Sequence, residues 1–190
     1  EIFSGFDTKE VNQNILDILT AILEDALPQH DDIDVGDHKE KVAHVKMMKQ
    51  FVKKQTQIAQ LGALDLVLDV LAYTEVRDYD TISSALTLGK ILLHGGNVIL
   101  QKDIMAHFRK ARREGHMFFA KIVSHLQSLT DIVTQTPSFV TKFDQCNTDR
   151  NSHIANLVGL SLEFCQLWME GHNRELQEFL VSQDHQTIEL

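Results

Sequence analysis

The sequence predicts an all-α protein built as a stacked array of about seven to nine helices. Three observations carry that reading. Nearly every segment places apolar residues at three- and four-residue intervals, and none alternates with the period of two that a strand requires. With 2 Pro and 9 Gly in 190 residues, long helices can run unbroken while a sandwich lacks its turn residues. Finally, one helix–Gly–x–Asn–helix phrase is spoken twice, as Leu92–Gln101 (LLHGGNVILQ) and Leu167–Leu180 (LWMEGHNRELQEFL). Gly95 matches Gly171, Asn97 matches Asn173, Leu100 matches Leu176 and Gln101 matches Gln177. A repeated unit points to an array of stacked helices more than to a closed bundle.

Asp7 with Glu10 has capping-box spacing, and Val11, Ile15, Ile18 and Ile22 then form one inward stripe, widened by Leu19 and Leu23. This helix ends at Leu27, because Pro28 disfavours helical geometry in the residue before it. His30–Asp37 is an acidic linker. Its Asp32, Asp34 and Gly36 resemble part of an EF-hand loop, but the third ligand and the distal glutamate are misplaced. Asp37 and Glu40 open a second helix with Val42, Val45, Met48 and Val52 facing inward. Gly62 interrupts, and Ala63–Ala72 is apolar nearly all round apart from Asp65 and Asp69 on one edge, as a central helix is.

Asp80 or Thr81 opens the next helix, whose Ile82, Leu86, Leu88, Ile91 and Leu92 lead to the Gly95–Gly96 turn. Glycine closes a helix in the left-handed conformation without a Cβ clash. Asn97 caps the following helix, so Asn97→Ala is expected to cost on the order of 1 kcal/mol and Asn97→Asp to be nearly neutral. Leu100, Ile104 and Phe108 are its inward face, and Arg109, Lys110, Arg112 and Arg113 suit the negative end of its dipole. Gly115 breaks it. Phe119, Ile122, Leu126, Leu129 and Val133 mark a further amphipathic helix that Pro137 stops, with a polar loop over 144–153. Asn151 or Ser152 caps a helix through Ile154, Leu157, Val158, Ser161, Cys165 and Trp168, with Leu160, Phe164 and Leu167 beside them, ending at Glu170–Gly171. The last helix starts at Asn173 and turns Leu176, Phe179 and Leu180 to one side.

The formal net charge of −9 argues against nucleic acid as a partner, since phosphates call for a basic face. That charge is uneven. Residues 1–37 hold ten acids against Lys9, and residues 38–54 hold six lysines against Glu40. The lysines read as a solvated stripe beside an acidic neighbour, with an anion-binding face as the alternative. No apolar run reaches the roughly 18–20 residues of a membrane span, and no signal peptide opens the chain. Cys146 and Cys165 form no CxxC pair and read as reduced cytosolic thiols, Cys165 in the core. Beginning at Glu1 and ending among polar residues, the chain reads as a piece of a longer protein.

Catalytic signatures are missing. The ten histidines show no HExxH spacing or zinc-site intervals, and no phosphate-loop, dinucleotide or nucleophile-elbow motif occurs. His94 is placed to act as a helix C-terminal cation. The expectation is a non-enzyme without a cofactor.

The run from Leu61 (LGALDLVLDVL) through LLHGGNVILQ to Phe118–Phe119 resembles the cytosolic helical region of inositol trisphosphate receptors. The phrase LWMEGHNRELQEFL resembles the domain associated with the homology region that those receptors share with ryanodine receptors. Family members read Leu-Cys-Glu-Asn-His-Asn there. This chain keeps Glu170, His172, Asn173, Gln177, Phe179 and Leu180, and departs at Trp168–Met169 and Gly171. The resemblance covers 61–129 and 157–181 and marks a divergent member. It implies an armadillo-like solenoid in a homotetrameric calcium-release channel of the endoplasmic reticulum, on the cytosolic side. There it relays ligand state toward a pore outside this segment, with no membrane contact of its own. Residues 1–37 are then an amino-terminal helix and acidic linker, and 38–190 the armadillo-like helical domain. By position, Glu170 supplies one ligand of the family's activating calcium site, whose second carboxylate lies beyond Leu190. The trisphosphate site belongs to an earlier core, not to the lysines at 39–54.

Two readings of other classes compete. An armadillo-like peptide-binding module calls for a groove lined by free Asn97 and Asn173 side chains. An all-α enzyme calls for a convergent pocket with buried titratable groups.

Overall fold

The computed structural model describes residues 8–28, 38–110, 112–135, 149–171 and 177–178, and every regular element among them is a helix. In order these are α1 (Thr8–Glu24), α2 (His38–Ile58), a π turn (Ala59–Ala63), α3 (Leu64–Tyr73), α4 (Tyr79–Leu93), α5 (Val98–Lys110), α6 (Arg112–Gln135) and α7 (Asp149–Met169). The all-α reading holds.

Packing repeats with a period of three helices. α1 lies along α4 and α4 along α7, while α3 lies along α6. The contact of α3 with α4 recurs as that of α6 with α7. Three-helix displacement is the arithmetic of armadillo-type stacking. α4 is the middle of one row and is buried accordingly, at Ile82, Ala85, Leu86, Leu88, Gly89, Leu92 and Leu93. Its Gly89 lets α7 approach closely: a Cβ there would stand 2.7 Å from the ring of Phe164. Lys90 and Glu163 pair across the same contact.

α3 is the apolar central helix that its sequence announces, with Leu64, Val67, Leu68, Val70, Leu71 and Ala72 buried and Asp65 and Asp69 exposed. Gly62, at φ 97°, turns the chain between α2 and α3 in the left-handed region that favours glycine. An aromatic cluster fills the space between α5, α6 and α7. Phe108 stacks on Phe118 at 5.6 Å and meets Trp168 edge-on at 5.4 Å, and Phe119 stacks on Trp168.

Several local expectations are corrected. On α1 the structure buries Leu16, Thr20 and Leu23, while Val11, Ile15, Ile18 and Ile22 face outward. The helix has two apolar faces about 120° apart, and α4 covers the leucine one. On α2, Val42 and Val45 are exposed, and full burial begins only at Phe51. Asp78, not Asp80 or Thr81, caps α4, its Oδ1 accepting from the Thr81 amide at 3.4 Å. Gly115 does not end a helix. It lies buried inside α6, where Phe108 packs onto it so closely that a Cβ would meet that ring at 3.3 Å. Arg112 and Arg113 therefore open α6, leaving His107, Arg109 and Lys110 in the last turn of α5. α7 starts at Asp149, so the polar stretch up to Ser152 includes its first turn. The capping positions Asp7 and Asp37, the loop at 30–37, Cys146 and the helix opened by Asn173 lie outside the described residues, apart from Gln177 and Glu178, which are helical and exposed.

Candidate functional site: two glutamine-clamped turns

The two copies of the repeated phrase end two helices of the same row, α4 and α7, and the structure handles both ends alike. Gly95, Gly96 and Gly171 all take positive φ, at 77°, 70° and 79°. Only a residue without Cβ takes that geometry at little cost. A helix C-terminus leaves its last carbonyls without intrahelical partners. At α4 they are met by Gln55 from α2, whose Nε2 donates to the Ile91 carbonyl at 2.8 Å and to the His94 carbonyl at 2.9 Å. At α7 the partner is Gln101 from α5, whose Nε2 donates to the Leu167 and Glu170 carbonyls, both at 3.0 Å. Both glutamines are fully buried. Residues 91 and 94 map onto 167 and 170 by the spacing that maps Gly95 onto Gly171. The second helix of one three-helix unit thus clamps the end of the first helix of the next.

Asn97 completes the first clamp. Its Oδ1 accepts from the Leu100 amide at 3.4 Å, the expected N-cap bond. Its Nδ2 donates to Gln55 Oε1 at 3.1 Å and to Thr56 Oγ1 at 3.3 Å, reaching also toward the Val52 carbonyl. At 2% exposure it cannot line an open groove. In the second clamp Gln101 Oε1 is buried without a partner among the described residues, and the matching Asn173 lies outside them. Trp168 donates its indole N–H to the Gln101 carbonyl at 3.2 Å.

Glu170 stands at the centre of this arrangement. Its carbonyl is taken by Gln101, and its carboxylate is exposed toward the preceding turn, where a Cβ on Gly96 would lie 4.0 Å from Oε2. No ion pair holds it among the described residues, so a cation offsetting its place at the negative end of α7 is not found there. Nor do the described residues contain a group of three or more His, Cys, Asp or Glu placed to hold a metal. His94 is the C-cap of α4, its ring edge-on to Phe51 at 6.2 Å.

Other polar tethers tie α6 to the end of α3 and the turn after it. Lys121 of α6 donates to the Leu71 carbonyl at the end of α3 at 2.9 Å, and burial lowers its pKa from the usual 10.5 to about 8. His125, one turn on, bonds the Val76 carbonyl at 3.1 Å. Cys165 is half-buried against the core, and burial pushes its thiol up to about 11.

Sequence reasoning identified Asn97, both glycine turns and the match of Gln101 to Gln177. It missed the role of Gln55, which sits among lysines as KKQTQ and has no local mark of burial. The one available signal was Gln101 itself, four residues after Asn in a phrase spoken twice. The chain matches no family model, no curated protein and no solved structure. No described helix is long and apolar enough to cross a membrane.

Proposed function

We propose that the chain is a cytosolic helical segment of an intracellular ligand-gated calcium-release channel of the inositol trisphosphate and ryanodine receptor type. One observation carries most of the argument. Residues of the family-like phrases, Gly95, Asn97, Gln101 and Glu170–Gly171, form the clamps that fix the ends of successive helices in a row. A relay needs elements that move together, and clamped helix ends couple one unit to the next without relying on side-chain packing alone. In this reading the segment catalyses nothing. Its partners are other domains and subunits of the same homotetramer on the cytosolic side of the endoplasmic reticulum, with neither nucleic acid nor lipid among them.

Glu170 supplies one ligand to a calcium site completed by a later carboxylate. Calcium takes about 6–8 oxygens. The neighbouring Leu167 and Glu170 carbonyls are already engaged by Gln101. Among the described residues at the end of α7, one exposed carboxylate is thus what the chain offers, which fits a shared site and not a complete one. An ion bridging two parts shifts an equilibrium only through its different affinity for the two states. Calorimetric titration of the 190 residues with calcium is expected to show no micromolar binding, and Glu170→Gln in the intact channel to weaken calcium activation. Micromolar binding by the chain alone, or an unshifted activation curve, places the site elsewhere.

A further inference from the structure

Lys121 is held unlike the other described lysines. Its side chain is half-buried between α6 and the end of α3, with Nζ donating to the Leu71 carbonyl at 2.9 Å. An ammonium carries three N–H donors, and here the Leu71 carbonyl meets one of them. No carboxylate pairs with it among the described residues. His125, one turn on, is committed through Nε2 to the Val76 carbonyl and brings no negative charge. Lys54 is the natural comparison: it donates to the Ile22 carbonyl at 3.2 Å, but that bond is exposed to water. The end of α3 favours a cation at Lys121. It does not replace the water lost, and burial brings the amine pKa down to about 8. A half-buried amine without a counter-charge is a nucleophile in its neutral form.

We infer that Lys121 is a modification site that accepts an acyl group from small acyl thioesters. The lone pair of the neutral amine adds to the thioester carbonyl, the C–S bond breaks, and the thiolate leaves with the proton that Nζ gives up. The Leu71 carbonyl selects among electrophiles through the product each one leaves. An acyl amide is neutral and keeps an N–H for that carbonyl. Carbon dioxide leaves a carbamate, whose negative charge is costly in a half-buried place beside carbonyl oxygens. An aldehyde leaves a neutral imine with no N–H to donate. Acylation therefore removes the buried charge and keeps the tether between α6 and α3. Nothing in this depends on the channel reading or on calcium.

The test treats the folded 190-residue chain at pH 7.5 with S-acetyl-N-acetylcysteamine and follows each lysine by peptide mass spectrometry. Lys121 is expected to be acetylated about tenfold faster than Lys54 or the exposed Lys102, with the preference lost in urea. Acetylation of Lys121 no faster than that of Lys54 overturns the proposal, and so does a preference that persists in urea. A second measurement places acetyl-lysine at position 121 by stop-codon suppression. That chain should melt at a higher temperature than wild type at pH 7.5. The gain should shrink between about pH 8 and 10.5, as the wild-type amine ceases to carry a charge in either state. A lower melting temperature than wild type shows that the site does not hold the acyl amide, and overturns the proposal.

Discussion

Asn97 does two jobs with one carboxamide. Its oxygen caps α5, as its place after two glycines predicts, and its nitrogen holds Gln55 in position from 42 residues away. The first job is local and legible in the sequence, because a cap and the amide it serves are three residues apart. The second depends on where α2 lies, which no local pattern records. The consequence is a correction to the expected mutational pattern. Asn97→Ala loses a cap and strands a buried acceptor, for a total of about 2–3 kcal/mol. Asn97→Asp keeps the cap but turns a carboxylate oxygen toward Gln55 Oε1, so it is expected to destabilise by at least about 1 kcal/mol instead of being neutral. Urea melts of both variants measure this, and an aspartate variant as stable as wild type would show that the donor side is idle. Glu170 shows the converse. The sequence marks it through a resemblance, and the structure adds that its backbone is clamped while its carboxylate stays exposed.

At the scale of the helix, periodicity predicted which segments are helical far better than which face turns inward. α1 has two apolar faces, and counting intervals selects the longer stripe of β-branched residues. The leucine face is the one α4 accepts. Glycine was misread for a related reason. Gly115 reads as a breaker because glycine lowers helix propensity. Inside α6 that cost is outweighed by the space it leaves for the Phe108 ring. Gly89 plays the same part between α4 and α7, with Phe164 pressed against it. Gly89→Ala raises intrinsic helix propensity yet forces two packed helices apart, so a net loss of about 1–3 kcal/mol is expected in denaturant melts. Stabilisation by this substitution would mean that the α4–α7 contact yields easily.

For the molecule as a whole, polar tethers between helices of one row add to the apolar core. Lys121 anchors α6 to the end of α3 through the Leu71 carbonyl, and burial lowers its pKa to about 8. Between about 8 and 10.5 the unfolded chain holds a proton on this amine that the folded chain has released. Unfolding then takes up protons, so the contribution of Lys121 to stability rises with pH across that window. Below about 8 the full cost of burying the charge is present. Melts of wild type and Lys121→Met from pH 7 to 10.5 isolate this contribution, since other titrating groups are common to both. The wild type should gain on the variant as pH rises, and a constant difference would refute the assignment.

The sequence by itself determined the helical class, which segments are helical, the two glycine turns and the capping role of Asn97, because each depends on residues within a turn or two of one another. It also exposed the repeat, since a phrase spoken twice is visible without coordinates. Tertiary structure alone decided the three-helix period of the rows, the outward turn of the Val11–Ile22 seam, the placement of Gly89 and Gly115 beneath aromatic rings, and the use of Gln55 and Gln101 as clamps. These rest on contacts between residues dozens of positions apart. A buried glutamine and a solvated one look identical in a sequence until the neighbouring helix end is in place.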